Sequence, residues 1–171
     1  PYYCYEIGEN DLTLMRKLFA AGHAHRKYLR QIFVAMDITA PLYWWKEFDT
    51  YKVGTTANSC STMHKIAAKE FELSDFSTEH LVGLSIAALQ GVLDVMNLER
   101  KHFLVTHDKD CWWQMIQLLP SSYNQRRTVT MTYENVMNML DYREGHKLDE
   151  WREFCEILRA LPHVEVIRNG K

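Results

Sequence analysis

The longest helical stripe in the sequence falls between Leu81 and Met96, and it constrains the fold more than any other feature. Leu81, Leu84, Ala88, Leu89, Val92, Val95 and Met96 recur at three- and four-residue spacing and give a broad apolar face. Ser77 is placed to cap this helix, with Glu79 in the first turn, where a carboxylate is favoured by the helix dipole. The stripe predicts one long central helix. Gln90, Asp94 and Asn97 interrupt it, so no apolar run reaches membrane length. With no charged-then-apolar leader ahead of it, the expectation is a cytoplasmic protein without a membrane partner.

Shorter patterns surround that helix. Asn10 can cap a helix carrying Leu12, Met15, Leu18 and Phe19, with Gly22 as its stop. Residues 32–35 are a short apolar run that reads as a buried strand, while Pro41 and the aromatic cluster Tyr43, Trp44, Trp45 and Phe48 read equally as a turn entering a helix. The polar stretch 55–62 has no stripe and reads as a structured loop. A helix is predicted over 112–119, ended by Leu119-Pro120, then a brief strand over 128–131. Two further helices follow, around Val136–Leu140 and Leu148–Leu158, separated at Gly145, and Val164, Val166 and Ile167 suggest a last extended piece. No repeat or linker divides the chain. The fold class expected is α+β: one domain over residues 1–171, a mainly antiparallel sheet packed with several helices.

Composition narrows the function classes. At 171 residues, with 47% apolar and 25% charged residues, the chain can bury a core without staples. A formal net charge of −2 gives no general attraction to a polyanion, so no nucleic-acid partner is expected. Cys4, Cys60, Cys111 and Cys155 are scattered without a C-x-x-C pair, which favours reduced thiols. His102, His107, Asp108 and Asp110 match no ligand spacing, so they read as a polar turn and no metal is assigned. Cys60 beside His64 lacks a visible oxyanion site and reads as a small loop residue rather than a nucleophile. The usual glycine-rich nucleotide loops and the hydrolase elbow are absent.

A more specific pattern comes from order along the chain. Residues 56–63, Thr-Ala-Asn-Ser-Cys-Ser-Thr-Met, follow Ala40-Pro41-Leu42-Tyr43-Trp44-Trp45; Leu119-Pro120 comes later, then Asn138-Met139-Leu140-Asp141-Tyr142-Arg143 and Glu150-Trp151-Arg152. This order resembles the flavin-dependent thymidylate synthases. In that family a segment R-H-R-x-x-S leads into a polar loop, a Leu-Pro closes a helix, and a helix with an Asn and an Arg precedes an E-I-R stretch. The likeness runs from about His23 to about Arg159, and it departs from the family where Arg-His-Arg would stand, at Thr50-Tyr51-Lys52. The loop's Glu is Ser59 and its last Arg is Met63, so much positive charge is gone, and a lysine does not reproduce the guanidinium fork.

The resemblance implies reductive methylation of dUMP to dTMP, with methylenetetrahydrofolate giving the carbon and FAD, recharged by NADPH, giving hydride. It also implies a homotetramer. Carried over residue by residue, Ser61 is the catalytic candidate and, with Arg143, the substrate-binding pair; His25, Lys52, Asn58 and Asn138 are the cofactor-binding candidates. Four of the six also have a plainer reading: Asn58 and Ser61 as turn-formers, Arg143 as a helix-end charge, and His25 as a surface histidine with His23 competing for its place. Arg126 or Arg127 could replace the lost charge, or simply begin a solvated strand. Trp44, Trp45, Trp112 and Trp113 are expected to be too exposed and too many for one core, leaving some for a subunit interface. Two other outcomes stay open, a diverged flavin- or nucleotide-binding protein without synthase activity and an interaction module keeping only the fold.

Overall fold

The structure is a computed structural model that describes residues 6–167. In chain order it contains α1 (Glu9–Ala20), β1 (Phe33–Pro41), α2 (Leu42–Phe48), β2 (Thr56–Ser59), α3 (Thr62–Lys65), α4 (Leu84–Thr106), α5 (Lys109–Leu118), β3 (Asn124–Thr132), α6 (Tyr133–Arg143) and α7 (Asp149–Arg159). Short 3-10 turns cover Arg26–Gln31, Leu73–Asp75 and Val164–Ile167. The fold is α+β, with an antiparallel sheet ordered β1-β3-β2. The Tyr133 amide donates to the Ile32 carbonyl and the Leu42 amide to the Tyr123 carbonyl. Both pairs have the same register offset, so β1 and β3 pair without a bulge. No described helix is long and apolar enough to cross a membrane.

Two compact units share the chain. The first holds the chain up to Ala35, Tyr51–Thr56 and everything from Thr130; the second holds Met36–Thr50 and Ala57–Val129. In the first, α6 and α7 bury Val136, Met139, Leu140, Trp151, Phe154 and Leu158. The spacing of the last three places them on one stripe of α7. In the second, the inner face of α4 (Leu89, Leu93 and Met96) packs with Ile66, Phe71, Phe76 and Met115. Trp44, Trp45 and Phe48 are also buried there, their rings 4.9 to 5.2 Å apart. The first tryptophan pair therefore belongs to the core, contrary to the expectation of exposure. Trp112 is half-buried and Trp113 is 41% exposed.

Several sequence expectations change. The long helix starts at Leu84 rather than Ser77, because Gly83 at φ +49 and ψ −118 keeps the preceding turn from propagating into it. The Ser77 hydroxyl instead meets Glu79 and the Tyr43 hydroxyl. Gly8, not Asn10, stands at the start of α1, its amide donating to Asp11 at 2.9 Å. The apolar run at residue 32 is the start of a nine-residue strand ending at Pro41, and the aromatic cluster after it is α2. The predicted loop contains strand β2, all four residues exposed; an edge strand with two wet faces carries no apolar alternation to reveal it. The last apolar residues, Val164 to Ile167, form a buried 3-10 turn rather than a strand, since His163 at φ 59 bends the chain just before them. Cys4 lies outside the described residues.

Candidate functional site

Thr132 and Asn135 are the buried polar residues among those described, each 6% exposed, and both stand at the start of α6. A buried amide must find partners, and Asn135 does. Its Oδ1 accepts from the Thr132 amide (3.1 Å) and hydroxyl (2.7 Å), and its Nδ2 donates to the Val53 carbonyl at 2.7 Å. The turn it grips contains Gly54 at φ +80, where an added Cβ would lie 2.8 Å from the Asn135 Oδ1. Only glycine tolerates both the backbone angle and that approach. A capping residue, an amide and a glycine thus fix the turn that follows Lys52.

That turn forms one wall of a cavity of about 540 Å³ in the first unit. Thr55, Thr56, Thr130, Thr132 and Phe33 line it, together with Arg30, whose guanidinium grips Glu134 through Nε (2.8 Å) and Nη2 (3.0 Å). The Thr55 hydroxyl is buried and has no hydrogen-bond partner among the described residues. Such a group lowers stability, since it has given up water without gaining a partner.

The residues singled out from sequence fall in both units. In the first, Arg143 ends α6 with its guanidinium carbon 4.8 Å above the Trp151 ring, and its Nε donates to the Tyr51 hydroxyl at 2.9 Å. The guanidinium is therefore held by the Trp151 ring as well as by a hydrogen bond. Tyr51 belongs to the Thr50-Tyr51-Lys52 tripeptide, so Arg143 is tied to the segment where the sequence departs from the family pattern. Lys52 and His25 are exposed; His25 precedes the 3-10 turn whose Arg26 reaches the Met137 sulfur at 3.2 Å, one residue from half-buried Asn138.

In the second unit, Asn58 is exposed on β2 and Ser61 caps α3. The Ser61 hydroxyl bonds the His64 Nδ1 at 2.7 Å and accepts from the His64 amide at 3.3 Å. His64 is thus a partner of Ser61. Arg126 pairs with Asp37, and Arg127 pairs with Asp49 at 2.9 Å while its guanidinium carbon lies 4.3 Å above the Trp45 ring. Hydrogen bonds from Thr128 and Arg126 hold the Asp37 carboxyl below the usual carboxylate range. Both arginines offered as replacement charge therefore already face carboxylates. His107 and Asp108 form the joint between α4 and α5, the former as a left-handed cap and the latter accepting from the Asp110 amide at 2.9 Å.

Sequence reasoning missed the Thr55 cavity and the Asn135 clamp. The available signals were the Thr132-x-x-Asn135 spacing of a capping box and a glycine soon after Lys52.

No family model and no curated protein matches the sequence. Solved structures do match. The flavin-dependent thymidylate synthase ThyX of Helicobacter pylori, complexed with FAD and dUMP, superposes with a TM-score of 0.67 at 16% identity, over 95% of this chain and 84% of that one. A second structure of that enzyme with FAD and dUMP gives the same TM-score and identity over 83% of its chain. The UMP/dUMP methylase PolB of Streptomyces cacaoi, bound with 5-Br UMP, gives 0.66 at 14% identity, over 93% of this chain and 82% of that one. Likeness of that extent at so low an identity establishes architecture, and this chain has the fold of the flavin-dependent thymidylate synthases.

Proposed function

We propose that the protein is a flavin-dependent methylase of a pyrimidine nucleotide, converting dUMP to dTMP with methylenetetrahydrofolate and NADPH, and that it works as a cytoplasmic homotetramer. The observation that carries this reading is the match of 95% of the chain to a fold whose solved members hold FAD and dUMP or a UMP analogue. The fit of such ligands to this chain is supported by the cavity of about 540 Å³ lined by Thr55, Thr56, Thr130, Thr132, Phe33 and Arg30, a mixed polar and apolar lining that suits a pyrimidine or isoalloxazine ring. When bound, FAD supplies the redox chemistry and delivers hydride. The chain's own part is binding and orientation. Arg143, held beside Tyr51 and Trp151, binds the nucleotide; Ser61 orients it; His25, Lys52, Asn58 and Asn138 hold the flavin.

A second reading is favoured by the salt bridges of Arg126 and Arg127. With those cations occupied and Lys52 standing where the family has arginine, a nucleotide-binding protein without turnover also accounts for the site. One set of measurements separates the two. Purified protein is saturated with FAD and its absorption spectrum recorded, dUMP is titrated calorimetrically into the parent, Arg143→Lys and Arg143→Ala, and dTMP formation is assayed. The methylase reading expects a bound-flavin spectrum, product, and dUMP affinity that falls in two steps. Charge-assisted hydrogen bonds contribute about 1.5–3 kcal/mol each, so the alanine variant should bind roughly tenfold or more weakly. Nucleotide binding without product supports the second reading. No flavin uptake and no dUMP binding overturn both.

A further inference from the structure

Glu99 and His102 lie one turn apart on α4, and Cys111 lies in the first turn of α5. One ligand atom from each, a carboxylate oxygen, an imidazole nitrogen and the Cys111 sulfur, lies within 4.8 Å of the other two. Glu99 and Cys111 are half-buried and His102 is exposed, so the cluster opens to solvent on one side. The joint between the helices is short and tightly bonded. The Thr106 hydroxyl donates to the His102 carbonyl at 2.9 Å and accepts from the Asp108 amide at 3.2 Å, while the His107 amide donates to the Phe103 carbonyl at 2.8 Å. Residues 106–108 therefore set the first turn of α5 beside the last turns of α4 before any ligand arrives.

We propose that Glu99, His102 and Cys111 form a binding site for a divalent metal ion of the zinc type, with three protein ligands and a fourth position open to water. The donor set decides the metal class: thiolate with imidazole suits zinc or cobalt, whereas magnesium and calcium take oxygen ligands. Tetrahedral zinc at 2.0–2.3 Å from its ligands needs donor atoms about 3.5 Å apart, within reach of small rotamer shifts from the present separations. The thiolate is the ligand form of cysteine, so metal binding releases the Cys111 proton. The i, i+3 pair on α4 and the single residue from α5 mean that a bound ion cross-links the two helices. The site is independent of the nucleotide reading, since it draws on no residue assigned to it.

The test uses the full chain, freed of metal by a chelator, with Co²⁺ and Zn²⁺ as probes. One equivalent of Co²⁺ should bind and produce a near-ultraviolet sulfur-to-cobalt charge-transfer band, and Zn²⁺ should displace it and raise Tm. Cys111→Ser should abolish the band, His102→Ala should weaken Zn²⁺ binding at least tenfold, and Cys60→Ser should leave both unchanged. Circular dichroism checks that each variant folds, and exposed His102 gives a variant whose folding does not depend on the thiol. Cobalt uptake without the sulfur band overturns the proposal. So does Zn²⁺ binding of equal strength in the parent, Cys111→Ser and His102→Ala, or no binding to the parent.

Discussion

Residues 53–56 and 58–64 are both short, polar segments rich in hydroxyls, yet they are held in different ways. The first is gripped by a side chain 82 positions away, Asn135, whose amide is buried and bonds the Val53 carbonyl. The second holds the end of exposed strand β2 and most of short helix α3. It is held by the Cys60 amide on the Arg126 carbonyl, a bond from the Gln125 amide to the Thr62 hydroxyl at 2.8 Å, and the local Ser61–His64 pair. Buried polar bonds lose more when broken than exposed ones, because no water replaces the missing partner. The turn at Gly54 is therefore part of the fold, whereas the chain around Ser61 can change its side chains with little effect on stability.

The largest effect expected from this contrast is in Asn135→Ala. It leaves the buried Thr132 amide without its acceptor, at roughly 1–3 kcal/mol, and takes the side-chain acceptor from the Thr132 hydroxyl, which still accepts from the residue-135 amide; the carbonyl of exposed Val53 turns to water at little cost. A loss of about 2 kcal/mol should appear as a lower urea midpoint with an unchanged m-value. A loss under about 1 kcal/mol would mean that the turn is held by something other than this clamp.

Thr55→Val sharpens the comparison within the first unit. Valine nearly matches the shape of threonine and removes the unpartnered hydroxyl, so stability should stay level or rise by about 1 kcal/mol. Nucleotide or flavin affinity should stay level, since the oxygen is closed to the cavity. A drop in stability would mean that the hydroxyl is serving the fold, and a drop in affinity alone would mean that it opens to a ligand.

How much was legible from sequence follows the same division. Helices α1, α5, α6 and α7 were readable because one-sided burial imposes a 3.6-residue period, and Trp151, Phe154 and Leu158 occupy that stripe. The start of α4 was misjudged because Ser77 is a good cap wherever a helix follows, and only the backbone of Gly83 shows that none does. Strand β2 left no trace, since its pairing uses backbone groups that every residue has. Arg143 was recognisable as a helix-end cation, but its partner Tyr51 lies 92 positions away, and no local pattern joins them. Asn135 was hidden for the opposite reason: a polar residue in the first turn of a helix reads as surface unless its distant carbonyl partner is known.

The smallest effect concerns Ser61, where stability and function can be separated. Its hydroxyl caps a helix of only four residues and is half-buried beside an exposed histidine. Removing an N-cap acceptor from longer helices lowers stability by about 0.5–2 kcal/mol, and a short exposed helix belongs at the low end of that range. Ser61→Ala should therefore shift the urea midpoint by less than about 1 kcal/mol in equivalent stability, far below Asn135→Ala. If Ser61 orients the nucleotide, dTMP formation should fall much further than this stability change, because a positioned hydroxyl acts on the reacting base while a cap acts only on its own turn. The double variant Ser61→Ala with His64→Ala separates the roles. A hydroxyl that serves chiefly to hold the imidazole gives a double variant no worse than either single one, whereas a hydroxyl that meets the nucleotide gives a turnover loss that persists when His64 is already gone. Unchanged turnover in Ser61→Ala would leave the residue as a helix cap and nothing more.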